Sequence, residues 1–247
     1  MKKENDPMGQ AIADYWRHGR ADKLRVFSPM FEEDEIPVKT LFRSFGEMAA
    51  IEQTTLRRAA GRTLDVGAGA GCHSLWLQQQ GIPVTAIDIS PLSVEVMKER
   101  GVEKALEQDF FSMEESFDTI LMLMNGIGMV GTLERLPAFF ALLDKVLRPG
   151  GQVLCDSSDI SYVFENDEGD IELPAGGGYY GELTYEMQYR NIRGHAFPWL
   201  YIDAHLLCAA AAQSGYEAEI VQQGEHYDYL ARMVRRNHQG GREAIWW

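Results

Sequence analysis

The sequence predicts an α/β protein with a doubly wound sheet, mostly parallel, with an antiparallel closing strand. From Arg62 to about Arg235, short apolar segments of strand length alternate with segments of helix length, as in a parallel sheet covered on both faces. A glycine-rich turn at residues 67–71 follows the first of these strands and precedes the first helix. A length of 247 residues suits one such domain with additions.

The first 61 residues are predicted to form a helical cap on this domain. Asp6 and Pro7 are an N-cap followed by proline at the first helical position, a strong start signal for a helix. Glycine is the residue that most often ends helices. The expected parts of the cap are a helix from Asp6-Pro7 to about Gly19, an irregular acidic stretch from Phe31 to Glu35, and a helix from about Phe45 to Ala60 ended by Gly61.

The remaining residues, 62–247, are predicted to form the sheet domain, with an insertion at about 157–202. Strands are expected at 63–66, 83–88, 104–108, 119–124, 152–156, 217–221 and 228–234. Helices are expected at about 72–80, 91–100, 136–147 and 203–214. Residues 183–189 of the insertion alternate in the manner of a strand and are predicted to pair with residues 199–202.

The composition narrows the functional class. A formal net charge of −14 opposes binding to a nucleic-acid backbone, so we expect no nucleic-acid partner. No apolar run approaches the roughly 18 residues of a membrane helix and no signal peptide is visible, so no membrane association is expected. The 3 cysteines are widely spaced and form no CxxC pair, which predicts no metal site and a reducing, cytoplasmic compartment. The sequence leaves the oligomeric state open.

The turn Asp65-Val66-Gly67-Ala68-Gly69-Ala70-Gly71 predicts a nucleotide-like ligand. Glycines between a strand and a helix let backbone amides approach a ligand, and the helix N-terminus adds positive partial charge. An NAD-dependent oxidoreductase is an alternative, but its GxGxxG spacing would need a glycine where Cys72 stands. Asp65 also fits a dinucleotide site poorly, whereas a carboxylate there suits a ligand that carries an ammonium group.

At these residues the chain resembles the class I S-adenosylmethionine-dependent methyltransferase family, with its Rossmann-like fold. The resemblance covers about residues 62–155 well and 216–235 loosely. It rests on five motifs in order, namely Leu64 to Gly71, Asp88 at the end of the second strand, Asp109 with Phe110 after the third, 117–121, and the turn 148–151.

The resemblance implies a role for each motif. Asp65 would contact the methionine amino group, Asp88 both ribose hydroxyls and Asp109 the adenine amine, while the glycines accommodate the carboxypropyl chain. A carboxylate that accepts two hydroxyls makes charge-assisted hydrogen bonds, which supports the role of Asp88 independently. The residues predicted to bind the cofactor are Asp65, Gly67, Ala68, Gly69, Gly71, Asp88, Ile89, Asp109, Phe110, Met124 and Asn125.

The predicted reaction is an in-line methyl transfer to a small-molecule acceptor near the carboxyl ends of the strands. Candidate general bases are Asp156 and His226, although a loop histidine is more often only solvated. The insertion carries aromatic residues that fit either an acceptor wall or the buried face of a hairpin: Tyr179, Tyr180, Tyr185, Tyr189, Phe197, Trp199 and Tyr201. A non-enzymatic protein that binds S-adenosylmethionine is the other alternative.

Overall fold

The computed structural model describes residues 2–166, 168–172 and 178–236. Its helices are α1 (Pro7–His18), α2 (Ala50–Arg58), α3 (Cys72–Gln79), α4 (Pro91–Glu99), α5 (Leu136–Val146) and α6 (Ala204–Gln213). Its strands are β1 (Leu24–Ser28), β2 (Phe31–Ile36), β3 (Thr63–Val66), β4 (Val84–Asp88), β5 (Ala105–Glu107), β6 (Phe117–Met122), β7 (Leu147–Ser158), β8 (Glu182–Tyr189), β9 (Ile192–Arg193), β10 (Phe197–Leu200), β11 (Tyr216–Gln223) and β12 (Asp228–Arg235).

The larger sheet has the predicted doubly wound, mostly parallel architecture. Its 7 strands lie in the order β11-β12-β7-β6-β3-β4-β5. Strands β3 to β7 are parallel to one another, whereas β12 is antiparallel to both of its neighbours. All four residues of β3 are buried, as expected for a central strand covered on both faces. The predicted antiparallel closing strand is therefore confirmed as β12.

A second, antiparallel sheet joins the N-terminal region to the insertion. Its 5 strands lie in the order β10-β8-β1-β2, with β9 paired to β8. Strand β1 pairs with β2 on one side and with β8 on the other, so distant parts of the chain share this sheet. The predicted pairing within the insertion is confirmed in β8 and β10, although β10 is shifted two residues toward the N-terminus of the segment predicted at 199–202. We call this five-stranded element the cover sheet.

The N-terminal region differs from its prediction at residues 24–36. Phe31 to Glu35 was expected to be irregular, but it forms β2, and the region is therefore not helical throughout. Cross-strand ion pairs Lys23–Glu35, at 3.1 Å, and Arg25–Glu33, at 3.6 Å, offset part of the repulsion between its carboxylates. The division of the chain at residue 61 stays a prediction.

The helix expected from Phe45 to Ala60 is also shorter than predicted. Residues Phe45–Glu47 form a separate 3-10 turn, and α2 begins only at Ala50. The reason is Glu52, whose carboxylate accepts a hydrogen bond from the Ala49 amide at 3.0 Å and so caps a new helix start. This break turns Glu52 toward the interior, where it is 4% exposed.

Helix α1 docks against α4 through their two N-caps. The buried Asp6 carboxylate accepts a hydrogen bond from the Gly9 amide at 2.8 Å and one from the Ser90 hydroxyl at 2.6 Å. Ser90 in turn accepts from the Ser93 amide at 2.9 Å, capping α4. Both predicted helix starts, at Asp6-Pro7 and at Ser90-Pro91, are confirmed, and a direct hydrogen bond links them.

The contact between the N-caps of α1 and α4 leaves no room for a side chain at Gly9. A Cβ at Gly9 would lie 2.2 Å from Asp6 Oδ2 and 2.3 Å from Ser90 Oγ, closer than real contacts allow. We expect Gly9→Ala to lower the free energy of unfolding by about 1–3 kcal/mol, measured by denaturant or thermal unfolding. The matched control is Gly46→Ala, since a Cβ there meets nothing within 4 Å. Equal stabilities of the two variants would contradict this account of the junction.

Within the described residues, no helix is long and apolar enough to cross a membrane. A group of arginines stands near the end of the sequence, namely Arg232, Arg235, Arg236 and Arg242, and the last of these lies outside the described residues. Of that group, Arg232 and Arg235 are engaged in hydrogen bonds, to Gln152 and to Asp144 respectively.

Candidate functional site

A cavity of about 780 Å³ lies between the carboxyl edge of the larger sheet and the cover sheet. The larger sheet contributes residues at the carboxyl ends of β3, β4 and β7 and residues that follow β3 and β6, because the carboxyl ends of parallel strands meet at one edge. The cover sheet contributes residues of β1, β2, β8 and β10. Two distant parts of the chain, β1 with β2 and β8 with β10, therefore cover a cavity whose opposite wall is formed by the parallel strands.

The predicted glycine turn forms one wall of this cavity. Gly67, Gly69 and Gly71 have φ values of +68°, +57° and +81°, a region that favours glycine. A Cβ on Gly69 would meet nothing within 4 Å, so the bare backbone there leaves open space at the wall. The turn leads directly into α3, whose first amides lack partners within the helix. Predicted residues Gly67, Ala68 and Gly69 all line the cavity.

Asp88, at the end of β4, presents a half-buried carboxylate to the cavity. One oxygen accepts a hydrogen bond from the Gly69 amide at 2.9 Å and the other from the Ser90 amide at 2.8 Å. A carboxylate offers about four acceptor positions, so about two stay free for ligand hydroxyls. Burial raises the pKa of Asp88 to about 6, although the two amides oppose this shift.

Asp65 lies deeper, with 1% of its surface exposed, and accepts a hydrogen bond from the Ser74 hydroxyl at 2.6 Å. It lines the cavity beside the glycine turn. Two other predicted contacts, Ile89 and Met124, are unusually exposed for large apolar side chains, at 48% and 39%. Met124 and Asn125 line the cavity, whereas Ile89 and Gly71 are outside its lining.

A buried charged cluster of Arg43, Glu52 and His73 was not foreseen from the sequence. One oxygen of Glu52 lies 2.7 Å from Arg43 Nη2 and 2.8 Å from His73 Nε2. Although burial opposes its protonation, Cys72 and the carboxylates of Glu52 and Asp65 raise the pKa of His73 well above its usual value. All three residues line the cavity, and Arg43 Nη2 approaches Met124 Sδ to 3.7 Å.

The site residues predicted from the sequence do not include Arg43, Glu52 or His73. No local pattern marks them, because they meet only after α2 has started late and packed near α3. The only sequence signal was a glutamate three residues after Ala49, the spacing by which a side chain caps a helix.

Asp156, a predicted candidate base, lies in the cavity wall at the end of β7. Its carboxylate accepts hydrogen bonds from the amides of Met124, at 3.1 Å, and Gly126, at 3.3 Å. These bonds hold a turn in which Met124 and Asn125 have φ values of +62° and +56°, a strained conformation for non-glycine residues. Burial raises the pKa of Asp156 to about 7 despite these amides, and the charge of Glu52 adds to the shift.

Besides Gly71 and Ile89, three more of the predicted site residues lie outside the cavity lining. Asp109 is exposed and caps the 3-10 turn that follows β5, accepting from the Phe111 amide at 2.9 Å. Phe110 is 3% exposed and packs in the core, its ring 6.2 Å from that of Phe139. His226 is exposed on the loop before β12. Because none of these three residues lines the cavity, their roles in binding or catalysis stay predictions.

The aromatic residues of the insertion divide between the two alternatives. Four line the cavity, namely Tyr185, Phe197, Trp199 and Tyr201. Tyr189 is instead buried in a core cluster with Ala11 and Leu24. The insertion therefore provides both an aromatic wall and part of a hydrophobic core.

Comparison with solved structures places this geometry in a known family. A crystal structure of an S-adenosylmethionine-dependent methyltransferase from Bacteroides fragilis, in complex with S-adenosyl-L-homocysteine, is 53% identical to this chain. The match covers 95% of this chain and 97% of that one, with a TM-score of 0.90. The chain belongs to the S-adenosylmethionine-dependent methyltransferase family. The methyltransferase hypothesis is therefore favoured over the oxidoreductase alternative.

Further similarities agree with membership of this methyltransferase family. The family model described as a methyltransferase domain matches residues 64–155. A ubiquinone biosynthesis O-methyltransferase from Xylella fastidiosa is 26% identical over 147 residues, which are 58% of this chain and 60% of that protein. The match thus spans about three-fifths of the curated relative. The sugar N-methyltransferase from a Streptoalloteichus species shares the fold, with 18% identity, 85% and 97% coverage and a TM-score of 0.56.

The cavity of this methyltransferase fits S-adenosylmethionine by the chemistry of its donors and acceptors. It provides a bare glycine wall, a buried carboxylate at Asp65, an acceptor for hydroxyls at Asp88 and a cationic pair at Arg43 and His73. The methionine part of the cofactor carries both an ammonium and a carboxylate group, which need such opposite partners. In the described residues, no group of three or more His, Cys, Asp or Glu side chains is placed to hold a metal ion.

Proposed function

We propose that this protein transfers a methyl group from S-adenosylmethionine to a small-molecule acceptor by in-line displacement, in the cytoplasm. The observation that carries the proposal is the continuity of the cavity. The same cavity is lined by Asp65 and Asp88 on the cofactor side and by Asp156, Tyr185 and Trp199 on the other. A methyl donor and an acceptor therefore have room to meet inside it.

The chain's own residues provide opposite charges for the two ends of the methionine part. Asp65 would accept from its ammonium group, as the sequence predicted. Its carboxylate would bind Arg43 and His73, because these are the only basic side chains among the described residues that line the cavity. Charge-assisted hydrogen bonds of this kind are stronger than neutral ones.

Replacement of Arg43 tests this assignment. We expect Arg43→Met to weaken binding of S-adenosylhomocysteine by about 10–100-fold in calorimetry, the usual value of a charge-assisted hydrogen bond. Binding of 5′-methylthioadenosine, which lacks the amino acid carboxylate, should change less than about threefold. The control is Arg57→Met, since Arg57 lies outside the cavity lining, over the ring of Phe45. Equal losses for both ligands would show that Arg43 does not bind the carboxylate.

Catalysis would rest on alignment and on removal of one proton. S-adenosylmethionine supplies an electrophilic methyl group on a sulfonium sulfur. A walled cavity holds the acceptor in line with that methyl group, which gains roughly 7–11 kcal/mol in well-oriented reactions. Asp156 is the carboxylate in the wall whose raised pKa, about 7, suits a general base at neutral pH.

A small-molecule acceptor agrees with both size and charge. A cavity of about 780 Å³ is in the range of small-molecule sites. The net charge of −14 disfavours a nucleic-acid substrate. Relatives named for ubiquinone biosynthesis support a small acceptor without identifying it.

The decisive experiment is methyl transfer from labelled S-adenosylmethionine to a broad panel of amines, phenols and carboxylic acids. We expect a labelled product and stoichiometric S-adenosylhomocysteine, and binding of S-adenosylmethionine but not of NADH. Tight binding of S-adenosylmethionine with no product from any acceptor would indicate the non-enzymatic alternative.

A further inference from the structure

The acceptor side of the cavity is unusually rich in carboxylates. The acidic residues that line the whole cavity are Glu32, Glu33, Asp34, Glu52, Asp65, Asp88, Asp156 and Asp228. Glu52 is neutralised by Arg43 and His73, and Asp65 and Asp88 lie on the cofactor side. Of the other five, Glu33 pairs with Arg25 at 3.6 Å. Within the described part of the chain, the remaining four, Glu32, Asp34, Asp156 and Asp228, line the cavity without an ion pair to a basic side chain. A cleft lined by one sign of charge concentrates ligands of the opposite sign.

The strand pairing of the cover sheet places one of these carboxylates, Asp34, on the face that also carries Tyr185. Val26 is opposite Asp34 on one side and Met187 on the other, so these three share a cross-strand row that lines the cavity. Tyr185, two residues before Met187, points to the same side of the sheet. Its hydroxyl donates to that of Tyr201 at 3.3 Å. Burial raises the pKa of both tyrosines and the negative charge of Asp34 adds to each shift, so both stay neutral.

Aromatic rings surround these acceptors. Tyr185 opposes Phe197 across the strands, and the two ring centroids are 6.3 Å apart. Trp199 lines the same cavity, its ring centroid 6.1 Å from that of Phe197. Aromatic faces attract cations and stack on rings, so this wall suits a positively charged group on an apolar or cyclic body.

We propose that the methyl acceptor is an amine that enters the cavity as a cation, its ammonium group bound by Asp34, Tyr185 and Tyr201 and its apolar or cyclic body held by Phe197 and Trp199. This inference rests on the proposed methyltransferase function and names the substrate class of the same site. It does not rest on the carboxylates alone, since the neutral tyrosine oxygens and the aromatic wall point to the same ligand.

Bonds, electrons and protons balance when a protonated amine is the methyl acceptor. The ammonium gives one N–H proton to the Asp156 carboxylate, which frees the nitrogen lone pair. That lone pair forms the new N–C bond with the methyl carbon as the C–S bond breaks, and the electron pair of the broken bond stays on sulfur. The products are the methylated amine, which is already a cation because nitrogen has given its lone pair to the methyl carbon, S-adenosylhomocysteine, and one proton on Asp156 that returns to solvent.

The test compares three probes of matched shape on the full chain saturated with S-adenosylhomocysteine: phenethylamine, 2-phenylethanol and 3-phenylpropanoate. Calorimetry should show the amine binding at least about tenfold tighter than the alcohol or the acid, with a preference that falls as salt rises. Equal or tighter binding of the alcohol or the acid, or no binding of the amine at millimolar concentration, overturns the inference.

Two variants in strand β2 test the assignment of Asp34 to the ammonium group. Asp34 is exposed, so Asp34→Asn should weaken binding of phenethylamine by at most about fivefold, as for an exposed ion pair, and leave binding of S-adenosylhomocysteine unchanged. Glu35→Gln is the matched control, because Glu35 lies outside the cavity lining and pairs with Lys23 at 3.1 Å. An equal effect of both variants would reduce the role of Asp34 to general electrostatics and contradict its assignment. Failure of S-adenosylhomocysteine to bind at all would instead count against the proposed function.

Discussion

Asp88→Ala is expected to weaken the binding of S-adenosylhomocysteine by about 100-fold or more. The Asp88 carboxylate is the proposed acceptor for both ribose hydroxyls, and a hydrogen bond to a charged group contributes about 1.5–3 kcal/mol. Loss of two such bonds corresponds to about two or more powers of ten in the dissociation constant. Calorimetry or equilibrium dialysis measures the effect.

The pH dependence of binding gives a second measurement on Asp88. The pKa of Asp88 is raised to about 6 by burial, against the amides of Gly69 and Ser90 and together with the charges of Asp6 and Asp65. The ionised carboxylate is the form that accepts two hydroxyls. Affinity should therefore be constant above about pH 7 and fall below pH 6, by up to about tenfold per pH unit. Asp88→Ala should remove this dependence.

Asp109→Ala is the matched comparison for Asp88→Ala. Asp88 ends β4 and Asp109 follows the adjacent parallel strand β5, but Asp109 is exposed and outside the cavity lining. We expect the alanine at position 109 to cost at most about tenfold in affinity, the value of one exposed hydrogen bond. A larger loss for Asp109→Ala than for Asp88→Ala would contradict the placement of the ribose contact.

Asp156→Ala is expected to lower kcat by about 100- to 10,000-fold, the usual contribution of a general base, with little change in the affinity for S-adenosylhomocysteine. The pKa of Asp156 in the free protein is about 7, raised by burial and by the charge of Glu52 against the amides of Gly126 and Met124. Because the base must be ionised, kcat/KM of the unaltered protein should rise with pH, level off above about pH 7 and lose this inflection in the variant.

Asp156 also holds the strained Met124–Asn125 turn, so a control must disturb the turn without removing the carboxylate. Ser158→Ala removes the hydrogen bond from Ser158 to the Asn125 side chain, at 3.1 Å. We expect a loss in kcat below about tenfold and an unchanged inflection in the pH profile. If Ser158→Ala and Asp156→Ala lost the same activity and both kept the inflection, Asp156 would be a positioning residue only.

The features that were predicted correctly from the sequence are those that depend on residues close together in the chain. The N-caps at Asp6 and Ser90, the glycine turn after β3 and the buried apolar strands depend on residues a few positions apart, and the structure has them as predicted. The motif spacing also brought Asp65 and Asp88 to one edge of the sheet, where both line the cavity. The same spacing placed Asp109 and Phe110 only near that edge, because their local turn directs one outward and the other into the core.

Other features of the site depend on contacts that no local pattern encodes. The acidic segment 31–35 has no strand-like alternation, and it becomes β2 because β1 is paired on its other edge with β8, far along the chain. The cluster of Arg43, Glu52 and His73 forms because α2 starts late and turns Glu52 inward. Sequence reasoning missed it, since the energy of a buried ion pair depends on partners and burial that only packing provides.

The sequence by itself determined the fold class and the family, and it predicted Asp65 and Asp88 at one edge of the sheet, because capping, strand burial and glycine conformations are set by near neighbours. Only the tertiary structure showed the cluster of Arg43, Glu52 and His73 and the wall of the cavity that the cover sheet provides. The cover sheet joins residues 24–36 to residues 182–200, so that Asp34, Tyr185 and Trp199 line the same cavity as Asp156. Strand pairing between such distant segments depends on burial and hydrogen bonding across the whole chain. No short segment of the sequence determines these interactions.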